Sequence, residues 1–446
     1  MEQEFDVLII GGGPGGLTAA YALQASGKKV GVVEKDKWGG TCPNRGCDPK
    51  KILYHATQVR DQALQLVGNG VPSPAPLMWE ELMEFKESFT SGVPTEQKEG
   101  LIQAGITVLE GEAVFQDPHR VLVAGNTYVA ETVILATGQD SVVLDIPGQE
   151  WLETSTDFLQ MPHLPKSITF IGGGYISFEL ANIARGCGSE VHIIHHNDQP
   201  LKGFDQEQVA SLVKRMQEQG VHFQFNEDVI QVKKRGTGFT LCLSSGAERV
   251  TDKVICAVGR KPSIEAMGLR VIGVDYSERG IVVDQYFRTS QPNIFALGDC
   301  LDKRQPKLTP VSTFEGSYVA AFIGGQQRQE IRYPLVPTIV FASPQIAQIG
   351  KVSLTEEEEQ EGRFSSKQLD LSGWFTYRHR NEPLVNAKLV IDQRTGLLVG
   401  ASVLGSEADQ LVNLLTLCIY QRISAEIVAQ QISLYPTVAS DLAYLY

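Results

Sequence analysis

A glycine-rich motif that occurs twice constrains the fold more than any other feature of the chain. In its first copy the apolar run 6–10 leads directly into the glycine cluster 11–16, and an amphipathic stretch, 17–23, follows. A second apolar run, 29–33, ends at the acid Glu34. Strand, glycines, helix, strand and acid in this order are typical of a dinucleotide-binding unit, in which the acid accepts from ribose hydroxyls. The glycines needed for the tight turn, for the backbone's approach to pyrophosphate and for helix–strand packing are Gly11, Gly13 and Gly16.

The second copy begins near the middle of the chain. The strand-like run 167–171 precedes Gly172 and Gly174, and the next predicted strand is 190–195. Ser177 occupies the third glycine position, which small residues can fill. Two such units imply two dinucleotides, most simply FAD and a nicotinamide cofactor. The alternative is that one copy has lost its ligand.

The residues at the end of the second copy favour NADPH over NADH. By register, His195 stands where the first copy has Glu34, and His196 and Lys202 are close in sequence. An acid would repel a ribose 2′-phosphate, whereas a cluster of histidine and lysine would not. The alternative is that these histidines only form the solvated end of a strand.

The redox chemistry is predicted to reside in a cysteine pair. Four residues separate Cys42 from Cys47, a spacing that puts the side chains about 140° apart on a regular helix. The segment must therefore bend for the sulfurs to meet, and Pro43 and Gly46 allow this. A thiolate at Cys47 would gain from the N-terminus of a helix that starts there, and Lys50 falls on the same face. A zinc site is the alternative, but no second Cys or His pair lies at ligand spacing.

Length and charge exclude several classes of protein. A chain of 446 residues suggests roughly three domains. The net charge of −13 argues against nucleic-acid and membrane-surface binding, and no apolar run is long enough to span a bilayer. Seven cysteines, an odd number, do not suggest an extracellular disulfide framework. With no leader-like segment before Phe5, the expected location is the cytoplasm.

With both glycine motifs and the cysteine pair in place, the chain resembles the flavoprotein disulfide reductases, which include glutathione reductase, dihydrolipoamide dehydrogenase and mercuric reductase. The resemblance covers nearly the whole chain. Five further segments match family motifs, and they are 133–138, 256–262, 293–299, 308–311 and 337–344.

The resemblance implies an α/β fold with two Rossmann-like dinucleotide-binding domains, for FAD and NAD(P), and a C-terminal α+β dimerisation domain. The FAD domain is expected at 1–147 and 276–336, the NAD(P) domain at 148–275 and the dimerisation domain at 337–446. The family is homodimeric, and the C-terminus of the partner subunit completes each active site.

The resemblance also implies roles for individual residues. Cys47 would face the flavin as the charge-transfer thiolate, and Cys42 would be the thiol that attacks the substrate. Lys50 and Glu179 match an ion pair beside the flavin, and Tyr175 matches an aromatic gate over the nicotinamide site. Further cofactor contacts implied in this way are Thr41, Ala113, Thr137, Gly138, Gly259, Arg260, Asp299 and Thr309.

The chain departs from the family at the C-terminus. Where the family has His-Pro-Thr-x-x-Glu, this sequence has Tyr435, and the glutamate position holds Ser440 with Asp441 next to it. A tyrosine of ordinary pKa, about 10, is a poor base but an available acid. We expect Tyr435 either to donate a proton or only to pack at the interface. Two arginines that glutathione reductases use correspond to Tyr21 and Ser317.

Charged residues beside the thiols form a second departure. Arg45 and Asp48 stand where relatives carry apolar residues. Asp48 is expected to disfavour a thiolate at Cys47 and Arg45 to favour it. The hypothesis is that these charges tune the redox potential and the choice of acceptor.

The sequence therefore predicts an oxidoreductase that passes electrons from NADPH through FAD and the cysteine pair to a small-molecule or protein disulfide, or to another oxidised sulfur compound. A second interpretation keeps the same path but ends on a metal ion, a quinone or oxygen. A third is a redox-sensing or partner-binding flavoprotein whose turnover is incidental.

Overall fold

The structure, a computed structural model, describes residues 3–446 except for the side chain of Glu359. The strands are β1 (Gln3–Ile10), β2 (Val30–Glu34), β3 (Thr107–Glu110), β4 (Ala113–Phe115), β5 (Arg120–Val123), β6 (Asn126–Leu135), β7 (Gln139–Ser141), β8 (Ser167–Ile171), β9 (Glu190–His195), β10 (Val221–Phe225), β11 (Val229–Arg235), β12 (Gly238–Leu243), β13 (Glu248–Thr251), β14 (Lys253–Cys256), β15 (Arg260–Pro262), β16 (Tyr276–Ser277), β17 (Gly280–Ile281), β18 (Ile294–Ala296), β19 (Thr338–Val340), β20 (Gln345–Gly350), β21 (Phe364–Asp370), β22 (Asn386–Asp392) and β23 (Leu397–Gly405).

The α-helices are α1 (Pro14–Ala25), α2 (Thr41–Arg45), α3 (Cys47–Gln65), α4 (Trp79–Thr90), α5 (Val93–Gln103), α6 (Ser155–Leu159), α7 (Tyr175–Gly186), α8 (Gln206–Glu218), α9 (Thr309–Ile323), α10 (Glu356–Gln360), α11 (Phe375–Arg378), α12 (Ala408–Tyr420), α13 (Ala425–Gln430) and α14 (Leu442–Leu445). Short 3₁₀ turns lie at Gln149–Trp151, Glu265–Met267, Gly298–Cys300 and Val438–Asp441. Among the helices of the described chain, none combines the length and the apolarity needed to cross a membrane.

The chain divides into two compact units. The first comprises the chain up to residue 50 together with 84–142 and 259–333. Its sheet has the order β3-β2-β1-β6-β5-β4, and β18 pairs with β6. β1 lies parallel to both β2 and β6, so Leu8 is opposite Gly31 on one side and Val133 on the other. Because helices cover a parallel sheet, the centre of β1 is apolar and buried on both faces.

The second unit comprises residues 51–83, 143–258 and 334–446. It contains the parallel sheet β10-β9-β8-β14, a three-stranded antiparallel sheet β11-β12-β13, and the five-stranded sheet β19-β20-β23-β22-β21. In this unit α3 and α7 are joined by a buried ion pair, in which Arg185 donates to both carboxylate oxygens of Asp61 at 3.0 and 2.7 Å. The two glycine motifs thus lie in different units, the first between β1 and α1 and the second between β8 and α7.

Candidate active site

The three glycines of the first motif have different surroundings, as a phosphate-binding turn requires. Gly11 has a φ of +116°, and a Cβ there would lie 2.2 Å from the Ala136 carbonyl oxygen. A Cβ on Gly16 would lie 2.1 Å from the Gly11 carbonyl oxygen. At Gly13 the nearest atom, the Cα of Gly40, is 3.9 Å away, so the backbone is open on this side. Gly11 and Gly16 therefore serve the turn and the packing, whereas Gly13 leaves room for a ligand.

Glu34 lies at the end of β2 beside this loop. Its Oε2 accepts from the Gly12 N–H at 2.8 Å, and its Oε1 accepts from the Asp36 N–H at 2.8 Å. The carboxylate is held by two backbone donors at the position where an acid contacts a ribose.

The cysteine segment is fastened to the same loop. The Gly39 N–H donates to the Gly12 carbonyl oxygen at 2.9 Å. The buried amide of Asn44 donates to the carbonyl oxygens of Trp38 and Gly40, both at 2.9 Å. Asn44 and Trp38 were not singled out from the sequence, although an amide inside a Cys-x4-Cys loop was a visible signal. Asn44 fastens the cysteine helix to the turn 38–40, and the Gly39 bond holds that turn against the glycine loop.

The chain bends between the two cysteines, as their spacing predicts. Cys42 lies in α2, Cys47 is the first residue of α3, and Gly46 between them has non-helical angles, φ −138° and ψ −117°. A Cβ on Gly46 would lie 3.0 Å from the Thr41 carbonyl oxygen. The bend lets the Cys42 and Cys47 thiols form a hydrogen bond with each other.

The environment favours a thiolate on Cys47. The hydrogen bond from Cys42 lowers the pKa of Cys47 to about 6, since it outweighs burial, and Thr309 and Lys50 act in the same direction. Asp48 opposes them. The Sγ of Cys47 is 3.8 Å from the Thr309 hydroxyl. In the same pair the pKa of Cys42 is raised, because its proton is held in the bond to Cys47.

The charged residues around Cys47 act on its pKa partly as predicted. Lys50 favours and Asp48 disfavours the thiolate, as predicted. Arg45 instead forms an ion pair with Asp36, which balances its charge locally.

Asp299 has an unpaired oxygen suited to a ligand. Its Oδ1 is buried and has no hydrogen-bond partner within the described residues. Burial raises the pKa of Asp299, although Lys303 and Arg260 act against this. A buried acceptor without a partner is costly, so a hydroxyl donor at this point would stabilise the site.

A buried network positions Asp299. Glu315, which is fully buried, accepts from the Gly298 N–H at 2.7 Å, from Lys303 at 2.6 Å and from the Tyr333 hydroxyl at 2.6 Å. These residues were missed from the sequence because their partners are distant along the chain. The open Gly13 and the unpaired Asp299 oxygen fit FAD. The first glycine loop would bind its pyrophosphate, and Asp299 would accept from one of its hydroxyls.

The second motif repeats the geometry of the first. Gly172 has a φ of +114°, and a Cβ there would lie 2.4 Å from the Ala257 carbonyl oxygen. A Cβ on Gly174 would meet nothing within 4 Å. Ser177 is buried on α7, so a small residue does fill the third glycine position. The turn is thus shaped like the first, with the backbone at Gly174, as at Gly13, open to a ligand.

His195 packs where the first motif has its acid. A Cβ on Gly173 would come within 2.6 Å of the His195 ring, whose Nδ1 is buried without a partner in the described chain. Burial lowers the pKa of His195, and the neighbouring His196 adds to this. His195 is therefore neutral near pH 7, and the exposed residues that follow it include His196 and the cation Lys202. Lys202 follows Leu201, whose N–H donates to the Gly173 carbonyl oxygen at 2.9 Å.

The other predicted residues lie in both units. Tyr175 is the exposed first residue of α7, and the buried Glu179 accepts from the Phe341 N–H at 2.9 Å. Lys50 belongs to the first unit and Glu179 to the second, so their ion pair stays a prediction. Six predicted cofactor contacts lie in the first unit, namely Thr41, Ala113, Thr137, Gly138, Gly259 and Arg260.

At the C-terminus the two predicted residues differ in exposure. Tyr435 is 72% exposed and stacks on Phe375, with ring centroids 6.5 Å apart. Asp441 is buried, and its Oδ1 accepts from the Thr376 hydroxyl at 3.2 Å. Burial raises the pKa of Asp441. Tyr435 is thus the accessible group of the two within one chain.

Two dinucleotide-type folds with a polarised thiol pair beside the first glycine loop define an oxidoreductase that works through cysteine. Comparison with known proteins agrees: residues 5–316 match the pyridine nucleotide-disulphide oxidoreductase family, and residues 336–445 match the dimerisation domain of that family. The chain belongs to this family and is a class I flavoprotein disulfide reductase, so the predicted family, fold class and enzyme class are confirmed.

Several relatives match over almost their whole length. The chain is 31% identical to a glutathione reductase of Burkholderia cepacia, with 100% of this chain and 99% of the relative covered. It is 32% identical to a dihydrolipoyl dehydrogenase of Bacillus subtilis (strain 168), with 98% of this chain and 94% of the relative covered. Among solved structures, the chain is similar to the HOCl-induced flavoprotein disulfide reductase RclA from Escherichia coli, in a Cu(II) complex of a cysteine-to-serine mutant. The TM-score is 0.88 and the identity 25%, with 100% of this chain and 99% of that chain covered.

The family uses FAD and a pyridine nucleotide. The dimerisation domain supports a homodimer.

Proposed function

We propose that this enzyme uses NADPH to reduce a disulfide or another oxidised sulfur compound. The observation that carries the proposal is the hydrogen-bonded pair Cys42 and Cys47, in which Cys47 is polarised towards a thiolate. Bound FAD would take hydride from the nicotinamide and return the electrons to the cysteine pair. The other steps are performed by residues of the chain.

The thiol pair supports thiol–disulfide exchange with a balanced count of protons. Cys42 attacks one sulfur of the substrate and must lose its proton as it does so. The nearest acceptor is the Cys47 thiolate, to which that proton is already hydrogen-bonded. Cys47 passes that proton to the first departing thiolate and, as a thiolate again, attacks the Cys42 sulfur of the mixed disulfide. The pair is oxidised to a disulfide, the substrate is reduced to two thiols, and the second proton comes from solvent.

NADPH is favoured by the end of β9. The neutral His195 beside Gly173 places no negative charge at the ribose position, whereas Glu34 places one there in the first motif. Exposed His196 and Lys202 beside it can pair with a 2′-phosphate. Cytoplasmic location remains the expectation for such a thiol enzyme.

Glutathione is not the substrate that the site favours. Tyr21 on α1 and Ser317 on α9 stand where glutathione reductases have two arginines, so two cations for carboxylates are replaced by neutral groups. We therefore place the acceptor among disulfides of lower negative charge, whether small molecules or proteins.

A metal ion is the second candidate acceptor. The partner-derived histidine of the family, which shuttles the thiol proton, is replaced by Tyr435, and the reduction of a metal ion does not require a proton for a leaving thiolate. The solved RclA structure is a Cu(II) complex, and thiolates are soft ligands that suit copper.

The deciding experiment is an anaerobic titration with NADPH and, separately, NADH, followed in the visible spectrum. A long-wavelength thiolate-to-flavin band that one disulfide discharges is the expected result. A band that no disulfide discharges, together with metal reduction that survives in a Cys42→Ser variant, would overturn the sulfur assignment. Unequal reduction by NADPH and NADH decides the cofactor.

A further inference from the structure

We propose that the second unit carries a site for a borderline divalent cation such as Zn²⁺, formed by Glu190, His192 and His222 on strands β9 and β10. One ligand atom from each residue can be chosen so that all three lie within 4.8 Å of one another. Imidazole nitrogens and a carboxylate oxygen are a donor set that zinc accepts, with water in a fourth position.

The register of the sheet brings the three residues together. β9 and β10 are parallel, and His192 is directly opposite His222. Glu190 lies two residues before His192 on the same strand, so its side chain is on the same face of the sheet. Strand spacing alone therefore gives a Glu-x-His pair on one strand and a histidine on the next.

The side chains are partly preorganised. Glu190 Oε1 is 2.8 Å from His192 Nε2, and the rings of His192 and His222 are near parallel, 19° apart, with centroids 4.7 Å apart. Ligand atoms on one tetrahedral zinc, each about 2.0–2.2 Å from the metal, lie about 3.3 Å apart, so Glu190 Oε1 and His192 Nε2 must separate slightly as the metal replaces their hydrogen bond. Glu190 and His222 are exposed and can turn, whereas His192 is only 4% exposed and provides the fixed point.

One nearby charge opposes a cation. The guanidinium of Arg249, on β13, is within electrostatic range of both Glu190 and His192, and its buried Nε has no partner within the described residues. A cation at the site would be repelled by Arg249 and attracted by Glu190. We therefore expect modest affinity, and we expect removal of the arginine charge to increase it.

A second histidine–carboxylate pair provides a matched control. His163 is 3.1 Å from Glu80 and is exposed, but no third ligand accompanies this pair among the described residues. A variant at His163 loses a surface histidine of similar setting without touching the proposed site.

The test is calorimetric titration of the untagged flavoprotein with Zn²⁺, in a Cys42→Ser/Cys47→Ser background so that the redox thiols do not bind metal. We expect one Zn²⁺ per chain and a rise in melting temperature on binding. Glu190→Gln and His222→Gln should each weaken binding by at least about tenfold, since even outer partners of metal ligands are worth ~10–100-fold. Both positions are exposed, so these variants should fold.

The remaining variants separate this site from general metal binding. Arg249→Gln should tighten binding, and His163→Gln should leave it unchanged. The proposal would be overturned if the parent and His222→Gln bound Zn²⁺ with equal affinity. It would also be overturned if His163→Gln weakened Zn²⁺ binding as much as His222→Gln does. Because the thiols are absent from this background, the outcome is independent of whether the enzyme reduces disulfides.

Discussion

Cys47 shows how a single side chain acquires its chemistry from its neighbours. Its position at the start of α3 was readable from the sequence, but the main cause of its low pKa is the hydrogen bond from Cys42. Helix position and Lys50 alone would act more weakly.

Cys42→Ala removes that hydrogen bond, so we expect the pKa of Cys47 to rise from about 6 towards the ordinary value of roughly 8.5. Because the thiolate is the reactive form, the midpoint of the alkylation rate against pH should move up by the same amount. Mass spectrometry of the Cys47 peptide, in reduced protein, follows this. Thr309→Val, which removes a smaller contribution, should give a smaller shift. A midpoint that stays near pH 6 in Cys42→Ala would contradict the assignment.

His195→Glu should shift the proposed preference for NADPH towards NADH. In the first motif Glu34 accepts from the Gly12 N–H, and a glutamate at 195 can do the same at Gly173 and repel a 2′-phosphate. That glutamate would also accept a hydrogen bond from a ribose hydroxyl of NADH. A hydrogen bond to a charged group is worth about 1.5–3 kcal/mol, so the ratio of kcat/KM for NADPH to that for NADH should fall at least about tenfold. Steady-state kinetics with both cofactors measure the ratio. His163→Gln should leave it unchanged, and an unchanged ratio in His195→Glu would refute the role of the β9 end.

At the scale of elements, the two glycine turns have the same backbone plan, and the positions within that plan differ in the substitutions they tolerate. Gly16 packs α1 onto the end of β1, whereas Gly174 has open space around its missing side chain. The same substitution should therefore have different consequences at the two positions.

Gly16→Ala forces a Cβ to within 2.1 Å of a backbone oxygen, so α1 must shift. Overpacking costs about 1–3 kcal/mol, and the displaced turn should also lose flavin. Gly174→Ala should keep both stability and flavin content but raise the KM for the nicotinamide cofactor. Thermal unfolding and the ratio of flavin to protein absorbance distinguish the two. Equal loss of flavin in both variants would show that the two positions do not differ in this way.

At the scale of the whole molecule, the C-terminal segment carries a candidate surface for the homodimer. Ile432 is 99% exposed and Leu434 is 85% exposed, next to Tyr435. Neighbouring apolar side chains this exposed indicate an interaction surface, and the segment lies in the matched dimerisation domain.

Ile432→Glu/Leu434→Glu should weaken dimerisation by at least about tenfold, since buried interface anchors are often worth 2 kcal/mol or more. Sedimentation velocity at several concentrations measures this. Turnover with a disulfide should fall with the dimer, while reduction of the flavin by NADPH persists. Val271→Glu, at a position 82% exposed in the first unit, is the control and should remain dimeric. A stable dimer in the double variant would place the interface elsewhere.

The sequence by itself determined the parts of this protein that depend on local order along the chain. The two glycine turns, the bend between Cys42 and Cys47 and the replacement of histidine by Tyr435 were all legible, because each depends on residues within a few positions of one another. Family membership followed from the same motifs.

Only the tertiary structure decided what depends on distant residues. Strand register and side-chain packing set three such contacts. These are the hydrogen bond from Gly298 to Glu315, the ion pair of Arg45 with Asp36, and the pairing of His192 with His222. Burial acts in the same way at His195, whose neutrality depends on the surrounding fold. Such contacts join residues nine or more positions apart, and no local pattern specifies which partners the fold will bring together.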